Sequence, residues 1–253
     1  MLSSIRAFAA PIACGDEMMA EETFWARALR NRNFVLGGFI TLVVTAMALL
    51  SFFWTPYDIL DQNIPNRLKW PGGDNLLGTD QFGRDVLSMV MVGARASIGV
   101  ALVAIIIGAG IGVPLGCAAA AGHKWLSEII MRSSAFIFAF PSLLLALLLT
   151  SVYGFTVTNA MIAIGIFNIP VFARLSYGAS LALWQREFIM AARTSGKGSV
   201  RITIEHILPN ITNLLIVQGT IQFSLGIIIE AGLSYVGVGT LPTMSCWGSM
   251  LAE

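Results

Sequence analysis

Residues 187–210 read Glu187-Phe-Ile-Met-Ala-Ala-Arg-Thr-Ser-Gly-Lys-Gly-Ser-Val-Arg-Ile-Thr-Ile-Glu-His-Ile-Leu-Pro-Asn210. This stretch carries five Lys, Arg or Glu side chains, although the whole chain is 56% hydrophobic and only 11% charged. A charged side chain at the centre of a bilayer costs about 2.5–3.5 kcal/mol on insertion scales. We therefore expect the stretch to lie in water, between two segments that cross a membrane.

The same stretch has apolar residues at helical spacing on both sides of Gly196-Lys-Gly198, which predicts two short helices separated by a turn. Ser199 is the predicted N-cap of the second helix, and Pro209 is its predicted end. A plain solvated loop would not need this apolar periodicity. The pattern therefore favours a docking element on the water side of the membrane.

The rest of the chain is typical of an integral membrane protein, because its 253 residues have a mean hydropathy of +0.78. We expect an all-α bundle of about five transmembrane helices. The predicted spans are Phe34–Trp54, Ile98–Ala121, Ser133–Tyr153, Ala160–Leu183 and Ile211–Tyr235, with a short polar link before Ser133. The predicted parts are a cytoplasmic N-terminal tail (1–32), the first transmembrane helix (33–54), an extracytoplasmic segment (55–96) and a core domain (97–253) that contains the loop 184–209.

The distribution of positive charge predicts the orientation. Ten of the 15 Lys and Arg residues fall in segments predicted to be cytoplasmic, four fall outside, and Arg174 lies within a span. Because cytoplasmic loops carry the excess of Lys and Arg, this bias favours a cytoplasmic N-terminus. Five spans then place Val236–Glu253 outside.

Three glycines in the second span, Gly108, Gly112 and Gly116, recur at every fourth residue. Such a stripe lets another helix approach closely, and we favour this reading over a substrate path. Pro114 in this span and the Phe140-Pro141 step in the third are expected to bend their helices.

Two charged side chains, Arg174 and Glu230, fall inside predicted spans. Intramembrane charges face protein or water rather than lipid, so each is either a pathway residue or a structural partner. Both readings remain open for Arg174, whereas the proximity of Ser234 and Tyr235 favours a structural role for Glu230.

The sequence contains no catalytic constellation. His123 and His206 have no Cys, Asp or Glu at zinc-ligand spacing, and the three cysteines show no paired spacing. No nucleotide-binding Gly-x-x-x-x-Gly-Lys-Ser/Thr motif occurs. We expect a chain that is not an enzyme and holds no metal or cofactor, and the net charge of +1 gives no sign of a nucleic-acid partner.

Four motifs in the same order resemble the dipeptide/oligopeptide/nickel branch of ABC-importer permeases, in its C-type inner-membrane subunit. Ala191-Ala192-x-x-x-Gly196, followed by Leu208-Pro209, is similar to the EAA loop of these permeases. The other motifs are Leu77-Gly-Thr-Asp-x-x-Gly-Arg-Asp85 with Gly93-Ala-Arg95-x-Ser97, Met131-Arg132 with Phe140-Pro-Ser-Leu-Leu-Leu145, and Glu230-Ala-Gly-Leu-Ser-Tyr-Val-Gly237 with Trp247-Gly-Ser-Met-Leu251.

The resemblance implies the type I ABC-importer permease fold in a bacterial inner membrane, with peptides or similar small solutes as cargo. It also implies a heterodimer with a second permease, two cytoplasmic ATPases that use ATP, and an extracytoplasmic solute-binding protein. The implied ATPase-coupling residues are Glu187, Ala191, Ala192, Gly196, Gly198, His206, Leu208 and Pro209. Met190 stands where the motif has a glutamate, and the family's six spans imply that the last one is missing here.

Two alternatives from other classes remain. One is an ion- or proton-coupled secondary transporter that uses Arg174 and Glu230, although the sequence has no internal repeat of the kind such transporters show. The other is a non-transporting membrane fragment. An importer subunit should associate with an ATPase, whereas neither of these two alternatives should.

Overall fold

The computed structural model describes residues 29–122, 124–154, 156–237 and 246–252, and it divides the chain after Val44 into two units. The long elements in these ranges are helices, so the predicted all-α fold is confirmed. In chain order they are α1 (Arg32–Leu50), α2 (Val86–Ala121), α3 (Lys124–Phe138), α4 (Ser142–Tyr153), α5 (Val157–Trp184), α6 (Glu187–Thr194), α7 (Ser199–Ile202), α8 (Leu208–Tyr235) and α9 (Trp247–Ala252), with a π-helical turn at Thr203–Ile207 that joins α7 to α8. Of the predicted N-terminal tail, residues 1–28 lie outside the described residues.

Four of the described helices are long and apolar enough to cross a membrane: α1, α2, α5 and the continuous helix from Ser199 to Tyr235. The pair α3 and α4 passes the same test only when its two helices are taken together, and it bends by 88° at the break between them. The number of candidate spans is therefore four or five, in agreement with the prediction of about five.

Helix α1 is 19 residues long, and its side chains up to Val43 are exposed, as expected for a helix that faces lipid. It ends at Leu50, earlier than the predicted Trp54. The amides of Phe52 and Phe53 bond to carbonyls three residues back, so the chain tightens into a turn before Pro56.

Helix α2 begins at Val86 rather than at the predicted Ile98, so the end of the 55–96 segment is helical. The cause is the N-cap Asp85, whose carboxylate accepts hydrogen bonds from the backbone N–H of Ser88 at 2.8 Å and from its hydroxyl at 2.7 Å. The helix runs through Pro114 without ending.

The segment before Ser133 is helical rather than a link, because α3 begins at Lys124. The predicted start of the third span at Ser133 is therefore wrong. An i,i+4 ion pair between Glu128 and Arg132, 2.5 Å apart, supports this amphipathic helix. The chain breaks between Phe138 and Ser142, at the predicted Phe140-Pro141 step. Pro141 is the N-cap of α4.

Two predictions about the second short helix are also wrong. Its N-cap is Gly198, and Ser199 is already helical. Pro209 does not end the helix but lies in the first turn of α8. Because proline has no N–H to donate, the preceding turn rearranges, and the amide of Leu208 bonds to the carbonyl of Thr203, five residues back.

The second unit is organised around α5, which packs mainly against α2 and also contacts α3, α4 and α8. The residues that fill this core are mostly small. The main buried cluster consists of Val100, Ala104, Ala146, Ala160, Ala163, Ile164 and Leu233. Small side chains allow the helix backbones to approach closely, as in other membrane bundles.

Candidate functional site

The 184–209 segment contains the predicted pair of short helices. Helix α6 ends in a Schellman motif, in which the N–H of Gly196 bonds to the carbonyl of Arg193 and the N–H of Lys197 to that of Ala192. Gly196 has a φ of +79°, a left-handed conformation that suits glycine. The sharp reversal between α6 and α7 therefore depends on this residue.

One face of the pair is anchored to the bundle. Ile189, Ala192, Ile202 and Ile207 are buried in one cluster, which also includes Cys117 of α2 and Ile211 of α8. Leu183 and Trp184, at the end of α5, pack against the same cluster. The pair is thus attached to three helices through apolar contacts.

The opposite face is apolar and exposed. Phe188, Met190, Val200 and Ile204 each expose at least 46% of their surface, and Ala191 is also exposed. An apolar groove of about 530 Å³ continues this face between Val200, Ile204 and Leu208 on one side and Pro114 and Cys117 of α2 on the other. Exposed apolar residues on a charged, ordered segment are typical of a surface that binds another protein.

A charged cluster joins the turn after α6, α7 and the π-helical turn. The Glu205 carboxylate accepts hydrogen bonds from Lys197 Nζ at 2.6 Å and from Arg201 Nε at 2.5 Å. The same Lys197 Nζ lies 3.0 Å from His206 Nε2, and the His206 ring meets the Phe188 ring edge to face. Lys197 and Arg201 hold the pKa of the Glu205 carboxyl at about 2, so it is ionised at neutral pH.

The other predicted coupling residues lie around this cluster. Glu187 is the exposed first residue of α6, and no cation of the described chain pairs with it. Gly198, Leu208 and Pro209 are exposed, and His206 is half-buried. Glu205 was not among the predicted site residues, although its i,i+4 spacing from Arg201 was a usable signal.

Arg174 and Glu230 have different surroundings. The Arg174 guanidinium lies over the Phe138 ring, 4.6 Å from its centroid, and the residue is exposed in this single chain. Glu230 is only 3% exposed, and it accepts hydrogen bonds from Ser97 Oγ at 2.7 Å and Ser234 Oγ at 3.0 Å. Its carboxylate therefore links α8 to α2.

Gly108, Gly112 and Gly116 lie against α5. A Cβ built on Gly112 would come within 2.5 Å of the Ile169 carbonyl oxygen. A Cβ on Gly116 would overlap Ser176 Oγ and the Ala173 carbonyl oxygen. The two helices contact each other backbone to backbone along this stripe.

A buried amide pair was not predicted. Gln222 Nε2 donates to Asn168 Oδ1 at 2.7 Å and joins α8 to α5, and Gln218 Nε2 lies 3.4 Å from Gln222 Oε1. Positions 218, 222, 226, 230 and 234 of α8 form one row of polar or small residues: Gln, Gln, Gly, Glu and Ser. This i,i+4 repeat is the signal that identifies the row in the sequence.

The link between Glu230 and Ser97 can be measured. In a double-mutant cycle of Glu230→Ala and Ser97→Ala, we expect a coupling energy of about 0.6 kcal/mol and no more than about 1.7 kcal/mol, the average and the maximum for hydrogen bonds between membrane helices. Unfolding in mixed detergent micelles provides the measurement. Ser224→Ala is the control, because the exposed Ser224 hydroxyl bonds only to the Thr220 carbonyl of its own helix. A coupling energy of zero would contradict the assignment.

Within the described ranges no group of three or more His, Cys, Asp or Glu side chains can hold a metal ion. Cys117 and Cys246 are buried and unpaired with each other. His123 and Cys14 lie outside the described residues.

Two parts of the chain match the models of known protein families. Residues 112–253 match the model of a family described as binding-protein-dependent transport system inner membrane component. Residues 22–71 match the N-terminal TM domain of oligopeptide transport permease C.

Individual relatives match over most of their length. The glutathione transport system permease protein GsiD of Pectobacterium atrosepticum is 36% identical over 231 residues, which are 91% of this chain and 77% of that protein. The dipeptide transport system permease protein DppC of Alkalihalophilus pseudofirmus is 35% identical over 230 residues, 90% of this chain and 75% of that protein.

Proposed function

Because the chain belongs to the family of binding-protein-dependent transport system inner membrane components, we propose that it is one permease subunit of an ATP-driven importer whose coupling element is the 184–209 segment. The observation that carries this proposal is the two-sided helix pair. One face is buried against α2, α5 and α8, and the other face is apolar and exposed. Such an element can receive a movement and transmit it to the spans.

The cargo that we propose is a short peptide or a similar small solute. Two relatives are named for glutathione and dipeptide transport, and both substrates are short peptides. The partners that we propose are a second permease in a heterodimer, two cytoplasmic ATPases, and an extracytoplasmic solute-binding protein. The bias of Lys and Arg supports a cytoplasmic N-terminus. With α3 and α4 together as one span, α6 and α7 would then lie on the side of the ATPases.

The contact with the ATPase relies on shape and apolar area more than on an acidic side chain. Met190 occupies the acidic position of the loop motif and is half exposed, beside the exposed Ala191 and Phe188. When the ATPases close on ATP, the pair moves, and the cluster of Ile189, Ile202 and Ile207 transfers that movement to the spans.

Substitution of Gly196 tests this proposal. Gly196→Val places a branched residue at a φ of +79°, which costs about 1–2 kcal/mol, and we expect roughly tenfold weaker association with the ATPase. Asparagine tolerates this conformation, so Gly196→Asn should retain most of the association. Co-purification and ATP-driven uptake in proteoliposomes are the measurements, and membrane insertion should remain unchanged.

Gly178→Val is the matched control. Gly178 lies on α5 away from the coupling residues, and a Cβ there meets no atom within 4 Å, so valine at this position should leave coupling intact. Normal ATPase association and transport in Gly196→Val would refute the coupling role of the segment.

A further inference from the structure

Arg174 lies deep within a candidate membrane span. Helix α5 ends at Trp184, and Arg174 lies ten residues before that end. At about 1.5 Å per residue, these ten residues separate Arg174 from the water-side end of α5 by about 15 Å. The headgroup region is only about 5–7 Å thick on each side of a bilayer. Arg174 is therefore at the depth of the hydrocarbon.

This charge has no counter-ion within the described part of the chain. There, no carboxylate lies within ion-pair distance of the Arg174 guanidinium, and no oxygen accepts its N–H groups. The carboxylate of Glu230 is already bonded to the hydroxyls of Ser97 and Ser234. A charge at this depth faces protein or water rather than lipid and is characteristic of a functional site.

Aromatic rings hold the guanidinium in place and direct it away from the inner headgroups. Its Cζ lies 4.6 Å from the centroid of Phe138, and the Phe138 ring meets the Phe167 ring edge to face at 5.8 Å. Phe167 lies seven residues before Arg174 on α5, about 10 Å further from Trp184. An arginine that snorkels extends towards the nearer headgroups, so this contact argues against snorkelling.

Arg174 lies on the open side of α5. Phe172, Ala173 and Ser176, in the same turns of the helix, are buried against α2. Arg174 and Leu181, an i,i+7 pair on the other side, are exposed. In the proposed heterodimer, a side that the helices of this chain leave open is available to the space between the two permeases.

The chemistry of the guanidinium suits a carboxylate. It is planar and carries five N–H donors in a fixed fork, which bind the two oxygens of a carboxylate together. The aromatic contact with Phe138 orients the cation but supplies no oxygen to these donors. A short peptide, the proposed cargo, ends in a carboxylate, whereas a lipid phosphate lies in the headgroup region.

We propose that Arg174 binds the terminal carboxylate of the cargo as it passes through the inner half of the membrane, and that Phe138 positions the guanidinium for this contact. The inference rests on the proposed function for the identity of the cargo. The unpaired, oriented cation does not depend on it.

Uptake of peptides with and without a free carboxylate tests the inference. The complete importer in proteoliposomes is supplied with a mixture of di- and tripeptides, as free acids or as C-terminal amides, at concentrations that saturate the solute-binding protein. Mass spectrometry measures the ATP-driven uptake. We expect Arg174→Gln to lower the uptake rate of the free acids roughly tenfold and that of the amides less than twofold. Arg174→Lys, which keeps the charge without the fork, should give an intermediate loss.

Arg132→Gln is the matched control. Arg132 is also an exposed arginine of this chain, but it pairs with Glu128 of its own helix. Its replacement should leave both uptake rates within about twofold of the wild type. Phe138→Leu is a second variant that keeps Arg174 and removes the ring, and the preference for free acids should fall several-fold.

An equal loss of free acids and amides in Arg174→Gln would overturn the inference, because a pair with the second permease, a lipid phosphate or a purely structural role affects both alike. Unchanged rates would also overturn it. If Arg174→Gln does not assemble with the ATPases, an unchanged preference in Arg174→Lys and Phe138→Leu overturns it instead. Uptake of no peptide by the wild type refutes the proposed cargo, whereas wild-type uptake with an unchanged preference in Arg174→Gln refutes only the role of Arg174.

Discussion

Replacing Gly116 with alanine is expected to destabilise the protein by about 1–3 kcal/mol, and replacing it with leucine should leave little folded protein in the membrane. A Cβ at this position overlaps the backbone carbonyl of Ala173 as well as the Ser176 hydroxyl. Because a backbone group cannot rotate away like a side chain, α2 must move from α5. These two helices form the most extensive contact of the second unit.

Gly110 on the same helix is the control, because its substitution should raise the stability of the protein rather than lower it. A Cβ on Gly110 meets no atom within 4 Å, so Gly110→Ala removes only the conformational freedom of glycine. In a helix interior this substitution stabilises by up to about 1 kcal/mol. Fluorescence-detected gel filtration after heating compares the unfolding midpoints, and equal midpoints for Gly116→Ala and Gly110→Ala would contradict the close contact along the stripe.

Glu205→Lys is expected to abolish ATP-driven uptake while membrane insertion remains normal. Glu205 holds Lys197 from the turn and Arg201 from α7 through two hydrogen bonds. A lysine at this position would place three cations together, so the turn and α7 would repel each other. The exposed face of the pair would then lose its fixed shape, and uptake in proteoliposomes should fall to the level without ATP.

Asp61→Lys is the control for this charge reversal, because Asp61 is an exposed acidic residue outside the 184–209 segment and pairs with no cation in the described chain. It should retain most of the uptake.

The pKa of Glu205, about 2, lies below its ordinary value of 4.5, so the carboxylate and its ion pairs remain intact above pH 4.5 and are lost as the pH falls towards 2. Wild-type uptake in Glu205→Lys would show that the Glu205 ion pairs are not needed for transport.

The hydrophobic runs and the charged 187–210 stretch predicted the fold class and the helix pair, because both depend on local composition. The family was predicted from four motifs and is confirmed by the relatives. Helix limits were less predictable. Asp85 extends α2 by twelve residues beyond its apolar run, since an N-cap can begin a helix in polar sequence.

The contacts between distant parts of the chain were not predictable from spacing. Asn168 and Gln222 are 54 positions apart, and Ser97 and Glu230 are 133 apart. Their pairing follows from how α8 is rotated against α2 and α5, which local sequence does not encode. The positive φ of Leu68, +52°, also accompanies such pairing, because the N–H of Leu68 bonds to the Asp80 carbonyl and the N–H of Lys69 bonds to Thr79 Oγ1.

The π-helical turn at Thr203–Ile207 determines which side chains of α7 and α8 lie on the same side of the continuous helix from Ser199 to Tyr235. Ile202 and Ile207 are five positions apart, and in a regular α-helix they would point about 140° away from each other. The wider turn at Thr203–Ile207 brings both into one buried cluster with Ile211. Pro209, which cannot donate the hydrogen bond of a regular helical turn, therefore helps to keep Ile202, Ile207 and Ile211 on one side of the continuous helix from Ser199 to Tyr235, so that its short first part and its long second part contact the bundle through the same face.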